Sequence, residues 1–357
     1  LATGPVTFRL YRKSDGSELG SRSLVFTRLA SYPATGVRVD RRNRLVVDGK
    51  PFFPIGMYWS GVTADQLDEY VQGGPFNCLM AYNTPSKNAL DLCAARGVRV
   101  AFSVKDVYPF KSNGAYPTRE AADAKVAQLL AYAKDHPATL CYYVNDEVGL
   151  QEADELTHRY EQVRGIDPNH PTWAVLFQYD EFRGYMPTSD ILGSDPYPTG
   201  TNEFGKCYRW VRTQCDQVFD SRPQWQAVQV HDHGAYSLPD EAKAAATPVP
   251  TLGEIRNMAW QILAAGAEGV FFYSQFDLKR MDWKTPFSES FGRVCTVAKE
   301  LKGLERFFLS ESPAPVLEGL PNGMTARMWT CGRERLLAIV NADWRPVRTT
   351  FDLGDDY

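Results

Sequence analysis

The sequence predicts an α/β protein, a (β/α)8 TIM barrel flanked by all-β, sandwich-like segments at both ends. Three observations carry that expectation. Between about residues 45 and 310, eight short apolar runs alternate with segments able to hold a helix. Outside that region the apolar period drops to two, the mark of half-buried strands. The connections between the eight runs are long enough for right-handed parallel crossovers.

In chain order, Val6-Thr-Phe-Arg-Leu-Tyr11 and Ser23-Leu-Val-Phe26 alternate about a Ser14-Asp-Gly16 turn. They suggest part of a β-sandwich over residues 1–38, with Tyr32–Gly36 as a linker. Asp48-Gly49 sets a tight turn before Phe52-Phe-Pro-Ile-Gly-Met-Tyr-Trp59, the first barrel strand. Thr63-Ala-Asp-Gln66 opens a helix as a capping box, and Gly73-Gly74 closes it. Strand two is Phe76–Tyr82, a helix covers Lys87–Arg96, and strand three is Val98–Val104. A Tyr/Pro/Gly-rich loop leads to a helix from Thr118 to Lys134.

Strand four is Leu140-Cys-Tyr-Tyr-Val-Asn-Asp-Glu147, followed by a helix over Glu152–Val163. Strand five is Trp173–Tyr179, and strand six lies within Ser189–Pro198. A helix covers Phe204–Phe219 and strand seven Gln224–Val230. An insertion, Ala235–Pro250, precedes a second capping box at Thr251-Leu-Gly-Glu254 and its helix to Ala265. Strand eight is Gly269–Phe276, and a last helix covers Phe291–Leu304. The barrel is thus expected over 39–310. Residues 311–357 alternate again at Val316-Leu317, Met324–Trp329, Arg335–Val340 and Val347–Leu353, as an incomplete β domain.

The bulk numbers narrow the class. With 44% hydrophobic and 23% charged residues the chain is globular. A net charge of −4 gives no nucleic-acid-binding surface, and no apolar run is long enough for a membrane span. Seven scattered cysteines show neither a disulfide framework nor zinc-ligand spacing, and most are expected as buried thiols. No cofactor and no metal is expected. The chain starts within a strand, with no signal peptide in it. A secreted, periplasmic or cell-surface protein is the expected setting, with an oligomeric state that the sequence does not fix.

Catalytic groups of an α/β barrel sit at the C-terminal ends of its strands. Strand parity points Asn145 and Glu147 inward at the rim, along with Lys105 of strand three, Gln229 and His231 of strand seven, and Gln275 with Asp277 of strand eight. Asp195 ends strand six, with Tyr197 behind it. A carboxyl among aromatics there has its pKa raised by desolvation, which suits a general acid. Tyr58, Trp59, Tyr82, Tyr108, Tyr197 and Phe276 are candidates for a sugar-stacking platform. Asp146 is expected to support Glu147 rather than act itself.

The opening Asp48-Gly-Lys-Pro-Phe-Phe-Pro-Ile-Gly-Met-Tyr-Trp59 resembles the start of catalytic barrels in clan-A-type glycoside hydrolases, the β-galactosidase-like ones included. Asn145-Asp-Glu147, Gly193-Ser-Asp-Pro-Tyr-Pro198 and the run Ala259–Ser274 resemble the same superfamily, over roughly residues 40 to 310. The resemblance implies cleavage of an oligo- or polysaccharide, with Glu147 as acid/base. It also implies a nucleophilic glutamate ending strand seven, where this chain has Gln229-Val-His-Asp-His233. The second carboxyl that glycoside hydrolysis requires is therefore Asp195 or, as second choice, Asp232. Substrate contacts are expected from Asn145, Tyr58, Trp59, Lys105, Tyr197, Gln229, His231 and Gln275. Two alternatives follow from the missing glutamate: a carbohydrate-binding barrel without hydrolysis, and a metal-dependent hydrolase built on His231 and His233.

Overall fold

The computed structural model describes residues 2–28, 36–111, 114–201, 203–317, 319–343 and 345–350. The chain divides into two compact units, Leu1–Gly36 and Val37–Tyr357. In the first, β1 (Ala2–Tyr11) and β2 (Glu18–Arg28) pair as an antiparallel hairpin, from Ala2 opposite Arg28 to Tyr11 opposite Glu18. Asp15 shapes its turn by accepting the Ser17 backbone N–H at 2.9 Å. The expected linker falls largely outside the described residues.

The second unit opens with a three-stranded antiparallel sheet of β3 (Val37–Val39), β4 (Leu45–Val47) and β5 (Lys50–Phe52). Val37, Leu45 and Val47 pack with Cys78 and Leu140, so this sheet plugs the N-terminal end of the barrel. The barrel strands are β6 (Ile55–Trp59), β7 (Cys78–Ala81), β8 (Arg99–Ser103), β9 (Thr139–Asp146), β10 (Thr172–Leu176), β11 (Ile191–Ser194), β12 (Trp225–Gln229) and β13 (Gly269–Tyr273). Their order is β11-β10-β9-β8-β7-β6-β13-β12. A parallel bridge between Leu192 and Gln224 joins the two ends. Side chains complete that seam, since Ser194 donates from both N and Oγ to Gln226 Oε1 at 2.8 Å. Gly193 lets the backbones approach there: a Cβ on it would stand 1.7 Å from the Trp225 carbonyl oxygen.

Helices α1 (Ala64–Gly73), α2 (Lys87–Ala95), α3 (Arg119–Ala133), α4 (Ala153–Ile166), α5 (Phe182–Tyr185) and α6 (Lys206–Gln217) follow strands in turn. The insertion after β12 holds α7 (Glu241–Ala245), and α8 (Leu252–Ala265), α9 (Gln275–Arg280) and α10 (Phe287–Phe308) complete the set. Thr63, Thr118 and Thr251 each accept a backbone N–H three residues on, and Thr251 with Glu254 forms a full capping box.

Strand parity sorts the core into two layers. Val100, Phe102, Val104, Val228 and Val230 pack outward beneath the helices. Ala101, Cys141, Tyr143, Ala227 and Phe271 face the barrel interior with Tyr58, Trp173 and Trp225. Trp173 fills its middle, with ring centroids 4.5 Å from Phe271 and 5.6 Å from Trp225. The C-terminal sheet is β14 (Val316–Leu317), β15 (Met324–Cys331) and β16 (Glu334–Asn341), antiparallel throughout. Its Trp329 joins the helix-side core, and Asn257 of α8 donates to the Asn341 carbonyl at 2.9 Å. The expected last strand has no counterpart over 347–350, and its remaining residues lie outside the described set.

Strand eight is shorter than expected. It ends at Tyr273, and Ser274 caps α9 by accepting the Asp277 N–H. Gln275 and Asp277 are therefore helical, and strand parity does not govern them. All seven cysteines are free thiols. Among the described residues no helix is long and apolar enough to cross a membrane.

Candidate active site

The C-terminal end of β9 departs from the alternation of its sequence. The register against β10 shifts between Trp173 and Ala174, so that Tyr143 faces Trp173 but Asn145 faces Ala174. Val144 is the extra residue of a β-bulge. Because Ala174 packs outward and Val175 inward, the bulge turns Asn145 out and Asp146 in. Asn145 is buried and satisfied by the next turn: its Oδ1 accepts Val148 N–H at 2.9 Å and its Nδ2 donates to the Val148 carbonyl at 3.3 Å. It is a structural amide, which corrects the expectation of a sugar contact. Glu147 then takes a left-handed φ of +59° while its N–H still donates to Val175 O at 2.9 Å. That twist turns its side chain back over the barrel mouth.

There Glu147 stands beside Asp195, which leaves the end of β11, and both line one cavity. Burial, then the charge of Glu147 beside it, pushes the Asp195 carboxyl well above the ordinary carboxylate range. Asp195 therefore keeps its proton to higher pH than an ordinary carboxyl does.

A cavity of about 320 Å³ opens on this pair, lined by Tyr58, Tyr82, Asp146, Glu147, Val175, Asp195, Tyr197, Tyr236 and Tyr273. That is the size of a small-ligand pocket. Asp146 is the hub of its polar wall. Tyr143 OH donates to Oδ1 at 2.7 Å, Tyr82 OH donates to Oδ2 at 3.3 Å, and Lys105 Nζ lies 3.3 Å from Oδ2. The tyrosine rings brace one another, with Tyr58 and Tyr273 centroids 4.9 Å apart in an edge-to-face arrangement.

The other expected site residues divide. Tyr58 and Tyr197 line the cavity. Lys105 sits behind its wall, bonded to Asp106 at 3.0 Å and over the Tyr82 ring at 4.1 Å. Trp59, one position out of phase with Tyr58, faces the helices instead and packs on Tyr70 and Phe291. Gln229 is fully buried, accepting Thr199 N–H at 2.8 Å and donating to His231 O at 3.2 Å. It fixes two loops rather than a ligand. Gln275, displaced by the early end of β13, directs Oε1 toward Ser60 N at 3.5 Å.

Asp232 is also not a cavity carboxyl. It accepts Gly234 N–H at 2.7 Å and the Thr247 hydroxyl, and forms a buried ion pair with Lys284 at 2.5 Å. The chain turns away after β12 and spends this side chain on anchoring the insertion. His231 is buried behind Tyr197, with Nδ1 3.1 Å from the Tyr273 carbonyl, and burial pushes it down to about 3. Its ring stacks on His233 at 5.2 Å. Among the described residues no group of three His, Cys, Asp or Glu side chains is placed to hold a metal ion, so the two imidazoles lack the further ligands a catalytic metal requires. Sequence reasoning missed the part of Asp146, which the bulge decides, and Tyr236, which lies in an irregular insertion with no strand pattern.

The parallel eight-stranded barrel defines the class: the fold is a (β/α)8 TIM barrel of the kind that solved glycoside hydrolases share. No protein-family model matches the chain, and no curated protein matches its sequence. Solved structures do. A glycoside hydrolase is similar at 15% identity and TM-score 0.61 over 84% of each chain. A family 5 mannosidase from Rhizomucor miehei is similar at 10% identity and TM-score 0.53, over 75% of this chain and 99% of that one. A family 2 β-galacturonidase from Eisenbergiella tayi, bound to galacturonate, is similar at 13% identity and TM-score 0.52, over 76% of this chain. This chain spans about a third to a half of such longer structures, 36% of a Bacteroides uniformis β-glucuronidase and 51% of the galacturonidase.

Proposed function

We propose that the protein hydrolyses glycosidic bonds of an oligo- or polysaccharide, with Glu147 and Asp195 as its acid/base pair. The observation that carries this reading is the pair of carboxyls, Glu147 and Asp195, on the lining of a tyrosine-walled cavity at the barrel mouth. Asp195 stores the proton. Glu147, the solvent-exposed member, passes it to the leaving oxygen as the C–O bond breaks. The Asp195 carboxylate so formed then acts on the other side of the reaction, as base toward water or as nucleophile toward the anomeric carbon. Carboxyl separations of roughly 5–5.5 Å serve retention and roughly 6.5–9.5 Å inversion. Tyr58 and Tyr197 offer π faces to the sugar ring, where positive charge develops in the transition state.

Depolymerising glycans outside the cell, as a secreted or surface protein, is the setting that fits a polymeric substrate, since such polymers do not cross membranes. A second reading, a glycan-binding barrel without turnover, is favoured by the end of β12, where Gln229 and His231 stand and the nearby Asp232 is held by Lys284. Product release from a panel of plant, microbial and host glycans separates the two. Turnover by the wild type that Glu147→Gln abolishes supports the hydrolase. Turnover that survives Glu147→Gln overturns the acid assignment, and glycan binding with no turnover by any protein supports the second reading.

A further inference from the structure

We propose that the sugar seated in this cavity carries an ammonium group, which makes the substrate a glycoside of an amino sugar. The inference deepens the glycosidase reading, and for turnover it rests on it. Among the described residues three carboxyl side chains line the cavity, and no lysine, arginine or histidine does. The nearby cations are already engaged. Lys105 divides its ammonium between Asp106 at 3.0 Å and Asp146 at 3.3 Å. Lys111 donates to the Asp146 backbone carbonyl at 3.0 Å, and burial lowers its basicity. Arg280 pairs with Asp277 at 3.1 Å, and burial lowers the basicity of His231 and His233.

Among the described residues Asp146, Glu147 and Asp195 are the charged groups on the lining, while Asp106, Lys105 and Lys111 stand off it, so the lining presents negative charge. It faces a low-dielectric cleft, which concentrates its field. The remaining wall is five tyrosines, Tyr58, Tyr82, Tyr197, Tyr236 and Tyr273. Aromatic faces with carboxylates between them form a cage for an ammonium ion. A carboxylate-bearing sugar would meet like charge there, with no cationic donor on the lining to offset it.

The test is a matched set of aryl glycosides in gluco and galacto configuration. Each is made with an amine, a hydroxyl only, or a carboxylate, and assayed at about pH 6, where the amine is protonated. The corresponding free monosaccharides are titrated in parallel by ligand-observed NMR. The expected order is amine, then neutral, then carboxylate, with roughly tenfold steps that shrink as salt is raised. Tyr236→Leu, at a half-exposed position, should narrow the amine preference a few-fold at unchanged melting temperature. Carboxylate sugars turned over or bound as well as amines overturn the inference, as does an amine no better than a hydroxyl. The expected binding order without turnover of any glycoside leaves this inference standing and overturns the glycosidase reading. No binding and no turnover of any sugar overturns both.

Discussion

Glu147 adopts a backbone conformation that L-residues other than asparagine and aspartate seldom take, and it does so at the mouth of the barrel. The bonds around it hold that conformation, and the reward is a carboxyl set against Asp195. If it delivers the proton, Glu147→Gln should lower kcat/KM by roughly 10²–10⁴-fold with little change in melting temperature. Asp195 gives a pH signature. Burial holds its carboxyl well above the ordinary range, so the protonated Asp195 that the proposed mechanism uses exists below that raised value and is lost as pH rises through it. The pH–rate profile should therefore fall on its alkaline side. In Asp195→Asn that descent should vanish along with most of the rate.

At the scale of the element, the bulge in β9 and the loop after β12 decide which acids reach the cavity. Asn145 pins the bulge through its two bonds to Val148. Asn145→Ala leaves buried backbone groups unpaired and should cost roughly 1–3 kcal/mol in denaturant unfolding, with activity falling in step. Asp232 and Lys284 anchor the insertion as a buried pair. Asp232→Ala should cost roughly 3–5 kcal/mol by stranding the lysine, and adding Lys284→Met should recover most of it. Recovery of folding together with turnover would show that neither group is chemical. Glu268, between α8 and β13, is raised by burial from 4.5 to about 8 while it accepts Gln224 N–H at 2.8 Å. Its folded value lies above its unfolded one, so the folded state binds the extra proton. The stability it gives is complete below about pH 4.5 and is lost as pH climbs through 8. Glu268→Gln should flatten that part of the stability–pH curve.

For the whole molecule, the barrel was legible because its strands are short β-rich runs cut by glycine, proline and helix caps at residues such as Thr63, Thr118 and Thr251. Those signals are local, and the chain obeys them. Parity also held wherever pairing was regular, so Ala101, Ala227 and Phe271 face inward as their spacing predicts. It failed at Asn145 and Gln275, where a bulge and an early helix start break the period of two. Trp59 beside Tyr58 shows the same rule from the other side: one residue of phase sends one ring to the helices and the other to the cavity. By itself the sequence determined the α/β barrel and its order of elements, because periodicity, caps and strand ends are written residue by residue, and it put forward Glu147 and Asp195 as candidates. Only the tertiary structure decided that those acids line one cavity, that Asp146 gathers the tyrosines, and that Asp232 is spent on Lys284. Each of these depends on strand register and on which loops meet across the barrel, distances set by packing between segments far apart in the chain.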